Sequence, residues 1–348
     1  MLARKAVLNT LYYSGLQALL SPILSGRGAI LMFHHVRDEA LTSFSPNYHL
    51  SIAPSFLDQL LSKLALTHEF ISLDEVHARL IGKSEHGKKP FLAITLDDGY
   101  RNNIEFAAPI FRKHAAPYTI YVAPEMSNGQ VPIWWEDVEH CIRMSSELEV
   151  RFSSGAERFD TSDPVRKCEA FTHILEKLFW EEDETTARQI VNDLSCAAGH
   201  DPIQHVKSHV ADLQGIRDIS NDPLCTIGAH TMAHHVLSKL DEKTLQWELS
   251  ESKAVLEAEV GRPVEHLAYP YGNARTVGAR EIKMSRELGF KTAVTTRHGV
   301  IYDECAEHLH CLPRASINGH YQTIACTKTL LSGIPTRLKN KGRKLDVA

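Results

Sequence analysis

Two adjacent carboxylates end an apolar run in the stretch ITLDDGYRNN. Asp97 and Asp98 directly follow residues 91–96, which read FLAITL. Neighbouring like charges repel each other, and a turn that caps a helix would need only one of them. A bound cation would offset the repulsion, with one carboxylate as its ligand and the other left free as a base. The pair therefore indicates metal-assisted chemistry.

A second set of candidate ligands lies in the stretch GAHTMAHHVL. His230 and His234 are four residues apart, a spacing that puts both imidazoles on one face if the segment forms a helical turn, as in many zinc sites. Thr231 stands where zinc peptidases carry the glutamate base of H-E-x-x-H, so the base must come from elsewhere, and Asp97 is a candidate. We expect His235 to lie on the surface or to support the ligands.

Short apolar runs alternate with helical patterns around these residues and predict the elements that position them. The predicted strands are 29–36, 91–96, 118–123, 225–230, 266–270 and 291–296. Such alternation predicts an α/β fold with a parallel sheet. At least six βα units favour a barrel, with an open sheet as the alternative. Parallel sheets carry their sites at the carboxyl ends of the strands, where both candidate motifs fall.

Three segments depart from this alternation. Residues 1–27 hold an uncharged stretch with apolar side chains on one helical face, which predicts an amphipathic helix packed on the body of the protein. A membrane-surface helix and a cleaved signal are the alternatives. Residues 136–215 show helical patterns and no convincing strand, which indicates a helical insertion in a barrel domain spanning 28–335. We expect the basic tail, 336–348, to be disordered.

Composition narrows the class of protein. The 348 residues are 43% apolar, enough for a sizeable core, and the formal net charge of −5 argues against nucleic-acid binding. Seven cysteines without a C-x-x-C pair argue against a disulfide framework and a thiolate zinc finger. We therefore expect a cytoplasmic protein, with membrane contact through the N-terminal helix and the basic tail as a further possibility.

Three motifs in this order, TLDDGY, HTMAH and AYPYG, resemble those of the polysaccharide deacetylases, carbohydrate esterase family 4, whose catalytic unit is the NodB homology domain. The resemblance runs from about residue 28 to about residue 320, with 136–215 as an added segment. The family's first motif usually reads T-F-D-D-G, and Leu96 replaces its phenylalanine. The second, H-S/T-x-x-H, is intact.

The resemblance implies a distorted (β/α) barrel, a divalent metal that is most often zinc, and hydrolysis of an N-acetyl group on a sugar. It implies that Asp98, His230 and His234 bind the metal and that Asp97 is the general base for a metal-activated water. It further implies that the backbone N–H of Tyr271, which follows the proline of AYPYG, stabilises the oxyanion.

Two functional residues of the family pattern are missing. Ala268 stands where the third motif normally carries an arginine that orients the base, and Arg314 in LPRASING is a candidate replacement. The late histidine that acts as general acid is also not evident. His34, which ends the first strand, and His298 are the candidates, and we favour His34. For His35 and His298 we expect non-catalytic roles.

The expected partner is an acetylated glycan. Trp134 and Trp135 follow the strand at 118–123 and either line a sugar groove or fill the core, and the insertion after them could roof that groove. Other readings are a non-catalytic carbohydrate-binding protein on the same fold, a hydrolase of small cyclic amides, and a membrane-recruited structural protein.

Overall fold

Seven parallel strands close into a barrel in the computed structural model, which describes residues 2–85 and 87–347. The twelve strands of these residues are β1 Gly28–Phe33, β2 His35–Val36, β3 Ser51–Ile52, β4 Glu69–Phe70, β5 Phe91–Leu96, β6 Tyr118–Val122, β7 Glu147–Phe152, β8 Gly155–Asp160, β9 Cys225–Ala229, β10 His266–Ala268, β11 Thr292–His298 and β12 Leu312–Ser316. Around the barrel the order is β1, β12, β11, β10, β9, β6 and β5, and β5 pairs back with β1 from Gly28↔Phe91 to Phe33↔Leu96. The two-residue β4 adds to the start of β5.

Helices surround the barrel and form the segments added to it. They are α1 Leu2–Tyr13, α2 Leu16–Leu24, α3 Pro54–Leu64, α4 Leu73–Leu80, α5 Ala108–Lys113, α6 Pro124–Ser127, α7 Trp134–Met144, α8 Pro164–Trp180, α9 Glu184–Ala197, α10 Pro202–His209, α11 Leu213–Ser220, α12 Glu242–Val260, α13 Ala279–Glu287, α14 Ile324–Leu331 and α15 Ile334–Lys339. Short 3₁₀ turns lie at Pro46–Leu50, Leu237–Lys239, Asp303–His308 and Gly319–Tyr321, and a π-helical turn at Asn103–Ala107 leads into α5.

The apolar runs explain why the barrel forms. Every residue of β1 and β5 is buried, as expected of parallel strands that are covered on both faces. The predicted α/β barrel is therefore confirmed, and the open sheet is wrong because β1 and β5 pair along six residues. The strand predicted over 29–36 is divided at His34, where β1 ends.

The N-terminal segment contains two helices where one was expected. Gly15 has a φ of 76°, which ends α1 and redirects the chain into α2. Leu8 of α1 is buried in a cluster with Tyr321, Cys326 and Leu330. Helix α1 thus packs on the body of the protein through Leu8. Among the described residues, no helix has both the length and the apolar character that crossing a membrane requires.

The insertion contains a β-hairpin that the helical prediction missed. β7 and β8 pair antiparallel, and alternate residues of β7, Leu148, Val150 and Phe152, are buried while their neighbours are exposed. This two-residue period is the signal of a half-buried strand, but it spans only six residues, ELEVRF. The hairpin and helices α7 to α9 share a separate apolar core.

The basic tail is ordered over the residues that the structure describes, 336–347, so the prediction of disorder made for 336–348 is wrong for these residues. The tail begins inside α15, Lys344 forms an ion pair with Glu304, and Arg297 donates to the carbonyl of Asp346. Leu345 packs against the barrel core. The apolar contact and the ion pair together hold a segment whose composition alone suggests a solvated end.

Candidate active site

The two adjacent carboxylates leave β5 in different directions. Asp98 has a φ of 71° and Gly99 a φ of 64°, so the chain turns sharply at the strand end. Asp97 faces the guanidinium of Arg314, whereas Asp98 faces His230 and His234. Both carboxylates are almost fully buried. The turn thus gives each member of the pair its own partner.

Asp98, His230 and His234 have the spacing of a metal site. Nε2 of each histidine lies 3.3 Å from Oδ1 of Asp98, longer than a good N–H···O hydrogen bond. Two ligand atoms about 2.1 Å from a tetrahedral ion would be separated by about 3.4 Å. The three side chains are buried. The spacing of the three side chains therefore suits coordination of a divalent cation better than direct hydrogen bonds between them.

The electrostatics of this triad favour ligand forms of its side chains. Burial would raise the pKa of Asp98, but the two imidazoles hold it well below its usual range, so the carboxylate is ionised. Nδ1 of His230 lies 2.7 Å from the carbonyl oxygen of Ala268. Donation from Nδ1 to that carbonyl directs the Nε2 lone pair toward Asp98, as is common for metal-bound histidines.

A second cluster, Asp137, His200 and His205, has the same residue types but a different geometry. Oδ1 of Asp137 lies 2.6 Å from Nε2 of His200 and 2.7 Å from Nδ1 of His205. These are hydrogen-bond distances. This cluster is therefore a hydrogen-bonded network within the insertion, and it provides a control for the triad at Asp98.

The segment that carries His230 and His234 is an irregular turn and not the helical turn expected from the spacing. Thr231 has a φ of 62° and His234 a φ of 56°. With Asp98 and Tyr271, whose φ is 60°, four of the six non-glycine residues with positive φ in the described chain belong to this site. Such conformations cost about 1–3 kcal/mol each and concentrate at functional sites.

Glu248 of α12 holds this turn in place. Its Oε2 accepts from the backbone N–H groups of Met232 and Ala233 at 2.9 and 3.0 Å, and its Oε1 lies 2.6 Å from Nδ1 of His235. His235 therefore supports the turn that carries His230 and His234, which was one of the two roles expected for it. Sequence reasoning missed Glu248 itself, although it falls on the apolar face of α12 that buries Leu245 and Leu249.

We expect Glu248→Ala to weaken zinc affinity by about 10–100-fold, because loss of supporting contacts behind metal ligands has effects of this size. The variant leaves two buried N–H groups without their acceptor. Competition with a chromogenic chelator would measure the affinity. Glu242→Gln, at an exposed position in the first turn of the same helix, is the matched control. Equal zinc affinity in Glu248→Ala and the parent protein would contradict this role.

Arg314 lies inside the barrel and forms a bidentate ion pair with Asp97. Nη1 and Nη2 donate to Oδ1 and Oδ2 of Asp97, each at 2.7 Å, and Nε donates to the carbonyl of Thr295 at 2.9 Å. The Arg314 side chain is completely buried. Burial would raise the pKa of Asp97, but Arg314 outweighs it and the pKa is lowered. Asp97 is therefore held as an oriented, ionised carboxylate.

The candidate acids occupy different cavities. Nε2 of His34 lies 3.9 Å from Oδ2 of Asp97 and lines the same cavity as the triad. His298 lines a separate cavity, where its buried Nε2 has no hydrogen-bond partner in the described chain. His35 points elsewhere, with Nε2 2.7 Å from Oε1 of Glu136. Proximity to Asp97 therefore favours His34 over His298 as the candidate general acid.

The catalytic cavity, about 330 Å³ in volume, is covered by the insertion. Trp135 of α7 and both Leu175 and Phe179 of α8 line it opposite the barrel. Trp134 packs behind, where its Nε1 donates to the hydroxyl of Tyr271 at 2.9 Å. The two tryptophans thus divide the expected roles, since Trp135 faces the cavity and Trp134 fixes the Tyr271 ring.

Comparison with known families locates the sequence signal in the second half of the chain. The sequence model of the family described as polysaccharide deacetylase matches residues 197–293, which include His230, His234 and Tyr271. No curated protein sequence matches the chain.

Solved structures share the fold at low identity. A deacetylase from Streptococcus pyogenes, PplD, determined in complex with acetate, is 18% identical with a TM-score of 0.55, and the match covers 84% of this chain and 92% of that one. IcaB from Ammonifex degensii is 16% identical with a TM-score of 0.54, covering 88% and 98%. A polysaccharide deacetylase from Bacillus cereus is 16% identical with a TM-score of 0.53, covering 87% and 68%.

The predicted resemblance to the polysaccharide deacetylases is confirmed. The departures from the deacetylase pattern can now be placed in the fold. Ala268, in the position of the motif-three arginine, uses its carbonyl to orient His230. Arg314 reaches Asp97 from β12, which lies 217 residues further along the chain. The deacetylase-like barrel thus has an arginine against its candidate base, supplied by a different strand.

Proposed function

We propose that this protein is a metal-dependent hydrolase that removes N-acetyl groups from an oligo- or polysaccharide containing amino sugars. One observation carries the proposal: a cation-spaced Asp98–His230–His234 triad and an arginine-held Asp97 line one cavity. The deacetylase fold and the family match support acetylated glycans as the substrate class.

The triad would hold the cation. Two imidazoles and one carboxylate suit zinc, which we propose as the metal. When bound there, such an ion would polarise the acetyl carbonyl and lower the pKa of a water molecule from its bulk value toward about 7.

The chain's own residues would carry the protons and charges. Asp97, ionised at neutral pH, accepts the proton of the attacking water, and Arg314 orients it. The N–H of Tyr271 donates to no acceptor in the described residues, which leaves it available to an oxyanion; one such donor contributes roughly 3 kcal/mol. Burial lowers the pKa of His34, although Asp98 and Asp97 oppose this. Its protonated form is therefore a stronger acid than an ordinary imidazolium, which suits it to protonating the leaving amine.

We expect the zinc-loaded protein to release acetate from N-acetylated oligosaccharides, and His34→Gln to lower turnover by about 10²–10⁴-fold, the usual contribution of a general acid. His298→Gln is the matched control and should retain full turnover on these unphosphorylated oligosaccharides, because His298 lies outside the catalytic cavity. An enzyme-coupled acetate assay on a panel of N-acetylated and O-acetylated sugars would measure both.

The opposite pattern, with turnover kept in His34→Gln and lost in His298→Gln, would reverse the assignment of the acid. Sugar binding without acetate release across the panel would favour a non-catalytic carbohydrate-binding protein. Release of no acetate but opening of a cyclic amide would favour the cyclic-amide hydrolases.

We further propose that the protein works at the cytoplasmic face of a membrane. Its seven cysteines are free thiols, which suits a reducing compartment. The side chains of Tyr13, Leu19 and Ile23 on α1 and α2 are more than two-thirds exposed, and no acidic residue precedes Asp38. These features favour an anionic lipid surface. We expect co-sedimentation with vesicles rich in phosphatidylserine and none with neutral vesicles. Binding to neither kind of vesicle, or equal binding to both, would overturn this proposal.

A further inference from the structure

A second cavity of about 490 Å³ lies beside the catalytic cavity. Met32, Thr296 and Ser316 line both cavities. These three residues lie in β1, β11 and β12, at the same end of the barrel as Asp97. A substrate whose acetylated sugar occupies the catalytic cavity can therefore extend over these side chains into the second one, which we call the aglycone cavity.

The outer walls of the aglycone cavity are apolar. Val7, Leu8 and Leu11 of α1 face it from one side, and Leu330 and Leu338 of α14 and α15 from the other. Val7 is 53% exposed and Leu338 67% exposed, so apolar side chains continue from the cavity to the protein surface. These apolar walls suit an alkyl chain. The cavity's polar lining residues offer hydrogen bonds to the polar groups of a ligand, and they include Thr296, His298, Ser316, Asn318 and Tyr321.

Positive charge at this cavity is only partly compensated. Arg4 and Lys339 line it, none of its described lining residues is acidic, and neither cation has an ion pair in the described chain. Burial, Arg4 and Arg297 lower the pKa of Lys339, and Asp346 only partly opposes them. An anion placed between Arg4 and Lys339 would relieve this repulsion through charge-assisted hydrogen bonds.

A buried polar atom adds an independent sign of a ligand. Nε2 of His298 is buried, lines the cavity's wall and has no hydrogen-bond partner in the described part of the chain. An unsatisfied buried group of this kind costs about 1–3 kcal/mol. A phosphate oxygen in the cavity would satisfy it, and the mechanism proposed above makes no use of this histidine.

We propose that the aglycone cavity binds a phosphorylated lipid to which the acetylated sugar is attached. The substrate class is then a sugar linked through phosphate to an alkyl or prenyl chain, with the phosphate at Arg4 and Lys339 and the chain among the leucines. This inference rests on the proposed function for the position of the sugar, but the affinity of the cavity for a phosphorylated chain does not depend on catalysis.

The test uses binding of dodecyl phosphate to the full chain, measured calorimetrically below the micellar concentration. Dodecyl maltoside, with the same chain and no charge, and inorganic phosphate, with no chain, are the comparison probes. We expect dodecyl phosphate to bind at least about tenfold more tightly than either, since it alone satisfies both the cations and the apolar walls.

Two variants locate the binding. Arg4→Gln/Lys339→Gln should weaken dodecyl phosphate binding by about tenfold or more, whereas Lys5→Gln/Lys341→Gln, with the same change in net charge away from the cavity, should not. Leu338→Gln, at an exposed position that folding tolerates, should weaken binding of the alkyl chain. Thermal melts verify that each variant is folded.

Several outcomes would overturn the inference. Equal weakening by the control pair would indicate nonspecific charge attraction, and equal affinity for inorganic phosphate would indicate an anion site without a lipid role. Absence of dodecyl phosphate binding in a protein that releases acetate would reject the aglycone cavity and leave the proposed function intact. Binding without acetate release from any sugar would reject the proposed function and leave the cavity as a site for anionic amphiphiles.

Discussion

Replacing His230 and His234 together by glutamine is expected to abolish zinc binding and to lower turnover roughly a thousandfold. Metal activation lowers the activation free energy by several kcal/mol, and each 1.4 kcal/mol is a factor of ten in rate. The reason is geometric: Nε2 of each histidine lies 3.3 Å from Oδ1 of Asp98, the spacing of ligands around a common ion. Without both imidazoles, Asp98 alone cannot hold the metal.

Metal content after zinc loading and dialysis, measured by mass spectrometry, tests this without knowledge of the substrate. We expect about one zinc per chain in the parent protein, as for a single tetrahedral site. His200→Gln/His205→Gln is the matched control, because it changes the other Asp–His–His cluster and keeps hydrogen-bond donors for the buried Asp137. If His230→Gln/His234→Gln retained zinc, or if only the control lost it, the metal site would lie at the Asp137 cluster in the insertion. The mechanism proposed here would then be wrong.

Arg314→Met is expected to reduce both stability and turnover. Removing one partner of a buried ion pair costs about 3–5 kcal/mol, because the other charge is left uncompensated. Asp97 would lose two hydrogen bonds of 2.7 Å that fix its orientation, so we expect turnover to fall by about 10²-fold or more. Urea unfolding and acetate release would measure the two effects.

The pH dependence separates this role from a purely structural one. Arg314 lowers the pKa of Asp97 against the effect of burial, so the pair stabilises the fold above the unfolded aspartate pKa of about 3.9 and loses this contribution as pH falls through the lower folded value. In Arg314→Met, burial loses its main opponent and the pKa of Asp97 rises, although His230 and His34 still oppose burial. The acidic limb of the rate profile should therefore move to higher pH.

Arg297→Met is the matched control for this shift. Arg297 is also buried, but it donates to the carbonyl of Val277 and has no carboxylate partner in the described chain. Its loss should reduce stability without moving the acidic limb. An unmoved limb in Arg314→Met, or an equal movement in Arg297→Met, would refute the assignment. The double variant Asp97→Asn/Arg314→Met should recover part of the lost stability, since no buried charge is left alone.

Local patterns in the sequence were sufficient to predict the barrel and to place two candidate ligand motifs at one edge of it. Runs such as FLAITL at 91–96 form strands because every residue can be buried between the barrel interior and the helices. The two motifs were expected to meet because strand ends of a parallel sheet lie at one edge, and the resemblance to the polysaccharide deacetylases singled out Asp98 as the ligand beside His230 and His234. The barrel and the meeting of the two motifs need only the period of apolar residues and the place where each run stops.

Arg314 and His34 were candidates in the sequence, but tertiary structure decided which groups lie beside Asp97 and the triad. Arg314 reaches Asp97 across 217 residues, and Glu248 fixes the ligand turn from a helix that sequence reasoning treated as an ordinary amphipathic one. His34 and His298 both end apolar strands, yet only His34 shares a cavity with Asp97. The left-handed conformations at Asp98, Thr231, His234 and Tyr271 have no signature in residue type, because surrounding contacts impose them. Contacts between distant segments depend on the closed barrel, and no local period of the sequence encodes them.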